Sequence, residues 1–139
     1  SILIVSTMYA VSRIVAPLAC VARGVAVRPV VARCFASKPT LLTDDERKTL
    51  LPDLNEWSMV EGGRDAICKQ YLFDDFKKAF AFMTRVAEYA DEVDHHPEWF
   101  NVYNRVEVTL STHDCGGLSQ NDVDLARVMD NAAEFVAGK

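Results

Sequence analysis

From Arg105 to Ser111 the chain alternates without a break: Val106, Val108 and Leu110 are apolar, while Glu107, Thr109 and Ser111 are polar. Successive side chains of a strand point to opposite faces, so this stretch puts one row in a core and the other in water. Such a strand belongs in an antiparallel sheet covered on one face, and it needs an amphipathic partner to cover it. The partner is the stretch Phe73 to Ala90. There Phe73, Phe76, Phe80, Met83, Val86, Ala87 and Ala90 recur at steps of three and four, which predicts a helix with these residues facing inward.

The remaining elements fit around this pair. Thr43-Asp44-Asp45-Glu46 reads as a helix start, with Thr43 as the cap and Glu46 three residues on. Pro52 limits that helix. Residues Asn55 to Val60, with Trp57, and Asp65 to Phe73 read as strands joined by the turn Glu61-Gly62-Gly63-Arg64. Trp99 to Tyr103 forms a second hairpin with Arg105 to Ser111. Ser119 to Val136 closes the chain as a helix, with Ser119 as its cap and Asp122 at the third helical position. Val123, Ala126, Met129, Ala133 and Val136 form its inner face. The order α-β-β-α-β-β-α predicts an α+β two-layer sandwich, a four-stranded antiparallel sheet with three helices on one face. This unit spans residues 40–139, and its modest core makes self-association expected.

Residues 1–37 contain no acid, and Arg13, Arg23, Arg28 and Arg33 are spread along them. That composition reads as a mitochondrial-type targeting presequence, with Arg33-Cys34-Phe35-Ala36-Ser37 resembling a matrix-protease site cut after Phe35 and Met8 as a candidate start. A disordered extension is the alternative, and it would leave the protein cytoplasmic. Arg13 splits the apolar run of a secretory signal, and no uncharged run is long enough for a stable membrane span. Five of the 15 bases precede Asp44, which leaves 10 against 20 acids and a net −10 from there onward. A body this acidic excludes direct binding to a phosphate backbone and directs attention to a small ligand or a protein partner. Cys20, Cys34, Cys68 and Cys115 show neither a C-x-x-C pair nor a zinc-ribbon spacing, so Cys68 and Cys115 read as reduced thiols.

All three histidines, His95, His96 and His113, fall within nineteen residues. Imidazole titrates nearest neutrality and suits proton transfer. Pro97 pushes its predecessor out of the α region, so the long helix ends by about His95 and the backbone turns between the two adjacent imidazoles. His113 follows the last strand and precedes Cys115-Gly116-Gly117, so the two strand ends meet at one edge of the sheet if the hairpins are neighbours. Three histidines also suffice for a catalytic zinc, but adjacent His-His is an awkward ligand pair, and no H-x-H or H-x-x-x-H spacing occurs. A histidine at a helix C-terminus is favoured by the macrodipole alone. Asp91, Asp94, Asp114 and Asp122 surround the histidines in sequence and are candidates to orient an imidazole, although capping explains Asp122 equally well. Trp99 reads first as a core residue and second as a stacking surface for a flat heterocycle.

Asp94-His95-His96-Pro97-Glu98-Trp99-Phe100-Asn101-Val102-Tyr103-Asn104 resembles the signature of the pterin-4a-carbinolamine dehydratases. So does Leu110-Ser111-Thr112-His113-Asp114-Cys115-Gly116-Gly117-Leu118-Ser119, with Asp122 in register. Glu61-Gly62-Gly63-Arg64-Asp65-Ala66-Ile67 and the segment Ala81 to Ala87 extend the likeness. The resemblance implies the same fold. It also implies a hydro-lyase that dehydrates 4a-hydroxytetrahydrobiopterin to quinonoid dihydrobiopterin, with no cofactor or metal, in tetrahydrobiopterin recycling. His95, His96, His113 and Asp122 are the implied catalytic set, with His95 and His96 doing acid–base work. Asp91, Trp99, Ser111, Thr112 and Asp114 are the implied substrate contacts. Asn121 stands where vertebrate members carry Arg. Homotetramers or homodimers are implied. A second role in some members, dimerisation cofactor of a homeodomain transcription factor, gives a non-catalytic protein-binding alternative.

Overall fold

A computed structural model describes residues 38–138 of the chain. The presequence expectation for residues 1–37, with Cys20 and Cys34, lies outside the described residues. The element order is α1 (Asp44–Leu50), β1 (Ser58–Met59), β2 (Ile67–Leu72), α2 (Phe76–Val93), β3 (Glu98–Val102), β4 (Arg105–Leu110) and α3 (Gln120–Ala137). The four strands form one antiparallel sheet in the order β1-β2-β4-β3, the α+β sandwich expected.

Register explains which side of the sheet is covered. Ile67 pairs with Leu110, and Tyr71 with Val106; Val108 sits between Lys69 and Trp99. Val106, Val108 and Leu110 are buried, as the alternation requires. Against this row pack Ala79, Phe82 and Val86 of α2, and Val123, Leu125, Ala126 and Met129 of α3. Phe82 lies within 5.1 Å, centroid to centroid, of both Tyr71 and Phe73. Helix α1 buries no residue; its Leu50 packs only against the margin of the core.

Three local expectations need correction. The strand expected over Asn55 to Val60 shrinks to Ser58–Met59, because Glu56 takes φ 60° and the chain turns there instead of extending. Helix α2 begins at Phe76, where Asp75 caps it through Lys78 N, and runs on to Val93. Its inner face keeps Val86, Ala90 and the partly buried Met83 of the expected stripe but not Phe76, Phe80 or Ala87. Phe76 and Phe80 are exposed and lie against each other, while Ala79 and Phe82 are fully buried. Two apolar stripes overlap on this helix, and the buried one is rotated by roughly 70° at 3.6 residues per turn.

Far from the histidines, Asp130 of α3 gathers a polar node. Its carboxylate accepts from Lys69 Nζ at 2.8 Å, Tyr71 OH at 2.6 Å and Trp57 Nε1 at 3.2 Å. Burial and this carboxylate push the Tyr71 phenol well above its ordinary pKa.

Candidate active site

Helix α2 ends where the sequence places Pro97. Asp94 takes the left-handed conformation at φ 52°, and its N–H reaches back to Ala90 O and Asp91 O. His95 and His96 follow in irregular backbone just before β3. From the far end of β4, Ser111 and Thr112 lead into a 3-10 turn, His113–Cys115. Because β3 and β4 are paired neighbours, the start of one and the end of the other share one edge of the sheet. The first turn of α3 closes the third side.

At the centre lies a buried pair. Asp122 is fully buried, and His95 is 8% exposed. His95 Nε2 and Asp122 Oδ1 are 2.9 Å apart. Asp122 Oδ2 accepts from Ser119 N at 2.8 Å and from the Thr112 hydroxyl at 2.7 Å. The Ser119 hydroxyl lies 2.6 Å from that of Thr112 and accepts Asn121 N–H. Every neighbour of the carboxylate can donate to it, which assigns Asp122 as ionised and His95 Nε2 as the protonated nitrogen. A buried charge persists only when hydrogen bonds and an ionic or polar partner replace water, and here they do. Asp122 is also the N3 residue of a capping box with Ser119. Capping and orienting a histidine are therefore one arrangement.

In front of this pair is a cavity of about 500 Å³ lined by Asp94, His95, His96, Ser111, Thr112, His113, Asp114, Asn121, Val93 and Pro39. Cavities of this size hold small heterocycles. His96 and His113 are exposed, whereas His95 presents one edge from the buried side. The cavity thus joins three of the four expected catalytic residues to Ser111, Thr112 and Asp114, with Asp122 directly behind. Asp91 and Trp99 lie elsewhere. Asp91 is exposed on the last turn of α2, and Trp99 packs against the core from the covered face of β3.

Pro39 was not anticipated, since nothing in its sequence neighbourhood links it to the histidines. It reaches the wall because Leu41 bridges to Ser119, and Leu42 N–H donates to Leu118 O at 2.8 Å. Arg47 and Asp65 were also missed. Arg47 clamps the Asp65 carboxylate with two bonds, 2.6 and 2.7 Å, and holds it below the usual carboxylate range. Exposed Arg64 pairs with Glu98 and lowers that carboxyl in the same way. Among the described residues no three His, Cys, Asp or Glu side chains are gathered as a metal-holding group, and Cys68 and Cys115 are free thiols.

An α+β sandwich with a buried His–Asp pair behind two open imidazoles is a scaffold for proton-transfer chemistry on a small ligand. A family model described as pterin 4 alpha carbinolamine dehydratase matches residues 40–132, and the chain belongs to that family of hydro-lyases. Relatives from Burkholderia orbicola strain MC0-3 and Burkholderia cenocepacia strain J2315 carry that enzyme's name provisionally. Each is 61% identical over 92 residues, covering 66% of this chain and 89% of the relative. A crystal structure of a transcriptional coactivator/pterin dehydratase from Brucella melitensis superposes with a TM-score of 0.63. It is 48% identical, and the match covers 66% of this chain and 97% of that one.

Proposed function

We propose that the chain dehydrates 4a-hydroxytetrahydrobiopterin to quinonoid dihydrobiopterin by metal-free histidine acid–base catalysis, as a step of tetrahydrobiopterin recycling. The observation that carries this reading is the His95–Asp122 pair at the back of a cavity whose front is lined by two exposed imidazoles. In the reaction the C4a–O bond breaks, the departing hydroxyl takes a proton and leaves as water, and N5 loses its proton as the N5=C4a bond forms. His95 is the base: with Nε2–H committed to Asp122, its Nδ1 lone pair takes the N5 proton, and the carboxylate compensates the charge the ring acquires. His96, exposed on the cavity wall, protonates the leaving hydroxyl. His113 polarises the ring from the opposite strand end, and Ser111, Thr112 and Asp114 hold the pterin edge. Asp91 and Trp99 have no part in this arrangement.

The test is the rate of 4a-hydroxytetrahydropterin dehydration with the spontaneous rate subtracted. Wild-type protein should accelerate it, and folded His95→Gln and His96→Ala proteins should lose at least about a hundredfold of that acceleration. A well-folded wild-type protein that gives no acceleration would sink the reading.

The exposed Phe76 and Phe80 on α2, with Phe100 and Val102 on β3, support self-association into a dimer or tetramer. The acid-free, Arg-bearing residues 1–37 support import into mitochondria. Light scattering of the purified chain tests the first, and fractionation of tagged protein tests the second.

A further inference from the structure

We propose that Asp65, clamped by Arg47, is a positioning residue that fixes the loop carrying His113. The proposal's kinetic arm rests on the dehydratase reading; its geometric arm does not. Asp65 holds this loop at both ends. Its main-chain oxygen accepts the Ser111 hydroxyl at 2.9 Å, where the loop leaves β4. Its Oδ2 accepts Leu118 N–H at 3.0 Å, where the loop returns towards α3. Between these points the loop closes on itself, with Thr112 N to Gly117 O at 2.8 Å and Gly117 N to Thr112 O at 3.2 Å.

Among the described residues the His113 imidazole makes no hydrogen bond, so its place in the cavity is set by its backbone. That backbone is tied to α3 through the Thr112 hydroxyl on Asp122, and Asp65 holds it at both ends. The fit is close: a Cβ on Gly117 would collide with Asp65 Oδ2 and stand 2.8 Å from Leu41 Cδ2. Only glycine admits the carboxylate there. Arg47 is itself fixed, since its Nε donates to Leu42 O at 3.1 Å. The Arg47 and Asp65 side chains are 24% and 30% exposed, and the contact is a two-pronged fork. Geometry of this kind orients a group more rigidly than a single-pronged surface pair.

The chain's three histidines give three imidazole Cε1–H signals, assignable by single His→Gln variants. In the full chain, Asp65→Asn and Arg47→Lys should shift or broaden the His113 signal and leave the Asp122-bound His95 signal in place. Both variants should lower kcat about tenfold, as expected when a reacting group is displaced by under an ångström. Adding Asp65→Asn to His113→Gln should cause no further loss, because one residue acts through the other. If Asp65→Asn fails to fold, Arg47→Lys carries the test. An unmoved His113 signal in the folded variants overturns the proposal, as do losses that multiply in the double variant. Should the wild type prove inactive on the pterin, the dehydratase reading falls, and the imidazole signals alone decide this one.

Discussion

Asp122→Asn changes almost no volume, yet it reverses the logic of the buried pair. Asp122 only accepts, whereas an asparagine must place one NH₂ among groups that donate. Ser119 N–H cannot turn round, so the amide oxygen must stay at the Oδ2 position and the NH₂ must face His95. His95 Nε2 then has to accept, and its proton moves to Nδ1, the nitrogen assigned to take the N5 proton. Two losses follow. Charge-assisted hydrogen bonds to the buried carboxylate become neutral, at a cost of about 1.5–3 kcal/mol. In a domain of this size that lowers the melting temperature by roughly 10 °C. The base is also in the wrong tautomer, which removes about 10²–10⁴ of the catalysed rate. Calorimetry and background-subtracted dehydration, on the same preparation at a temperature where the variant is folded, read both. A variant that melts lower but keeps its rate within about twofold refutes His95 as base. One that changes in neither respect refutes an ionised Asp122.

The corrected α2 face predicts that Phe82→Ala costs about 3–5 kcal/mol in denaturant titrations, while Phe80→Ala stays within about 0.5. Phe80→Asp should leave the monomer folded and shift light scattering towards smaller species. Ser119→Ala removes both a cap and a partner of Thr112 and should cost about 1–2 kcal/mol. Because Arg47 depresses the Asp65 carboxyl in the folded state, the unfolded chain binds the proton more readily. The stability Asp65 contributes is therefore complete above about pH 4 and fades as pH falls through its lower folded value. Urea titrations should accordingly show the separation between wild type and Asp65→Asn shrinking as the pH is lowered from about 7 through the acid range. Equal separation at both ends of that range would contradict the assignment.

Much of the fold could be read along the chain because its signals are local. The alternation of β4, the turn-and-proline grammar around Pro97 and the Ser119–Asp122 box each lie within a few residues. The histidine cluster was legible for the same reason. What escaped depended on distant partners. Nothing near Phe76 or Phe80 shows that Phe82 wins the contact with Tyr71, since the choice is made by the sheet. Trp57 invites a strand, but its indole is drawn to Asp130, 73 positions away, and the backbone turns at Glu56 to deliver it. Arg47 and Asp65 carry no motif between them. Their pairing exists only once α1 and the loop before β2 are placed together.

Helix α3 is fastened at two points, Asp122 at its first turn and Asp130 two turns further on, roughly 12 Å apart along the axis. The first grips His95 and, through Thr112, the loop bearing His113, and the second grips Trp57 and β2. A rod bolted at two places can neither roll nor slide on its bed. The back wall of the cavity is therefore a fixed datum. Any adjustment to an incoming ligand falls to the segment bearing His96, since the His113 loop is itself tied to Asp65 and, through Thr112, to the helix.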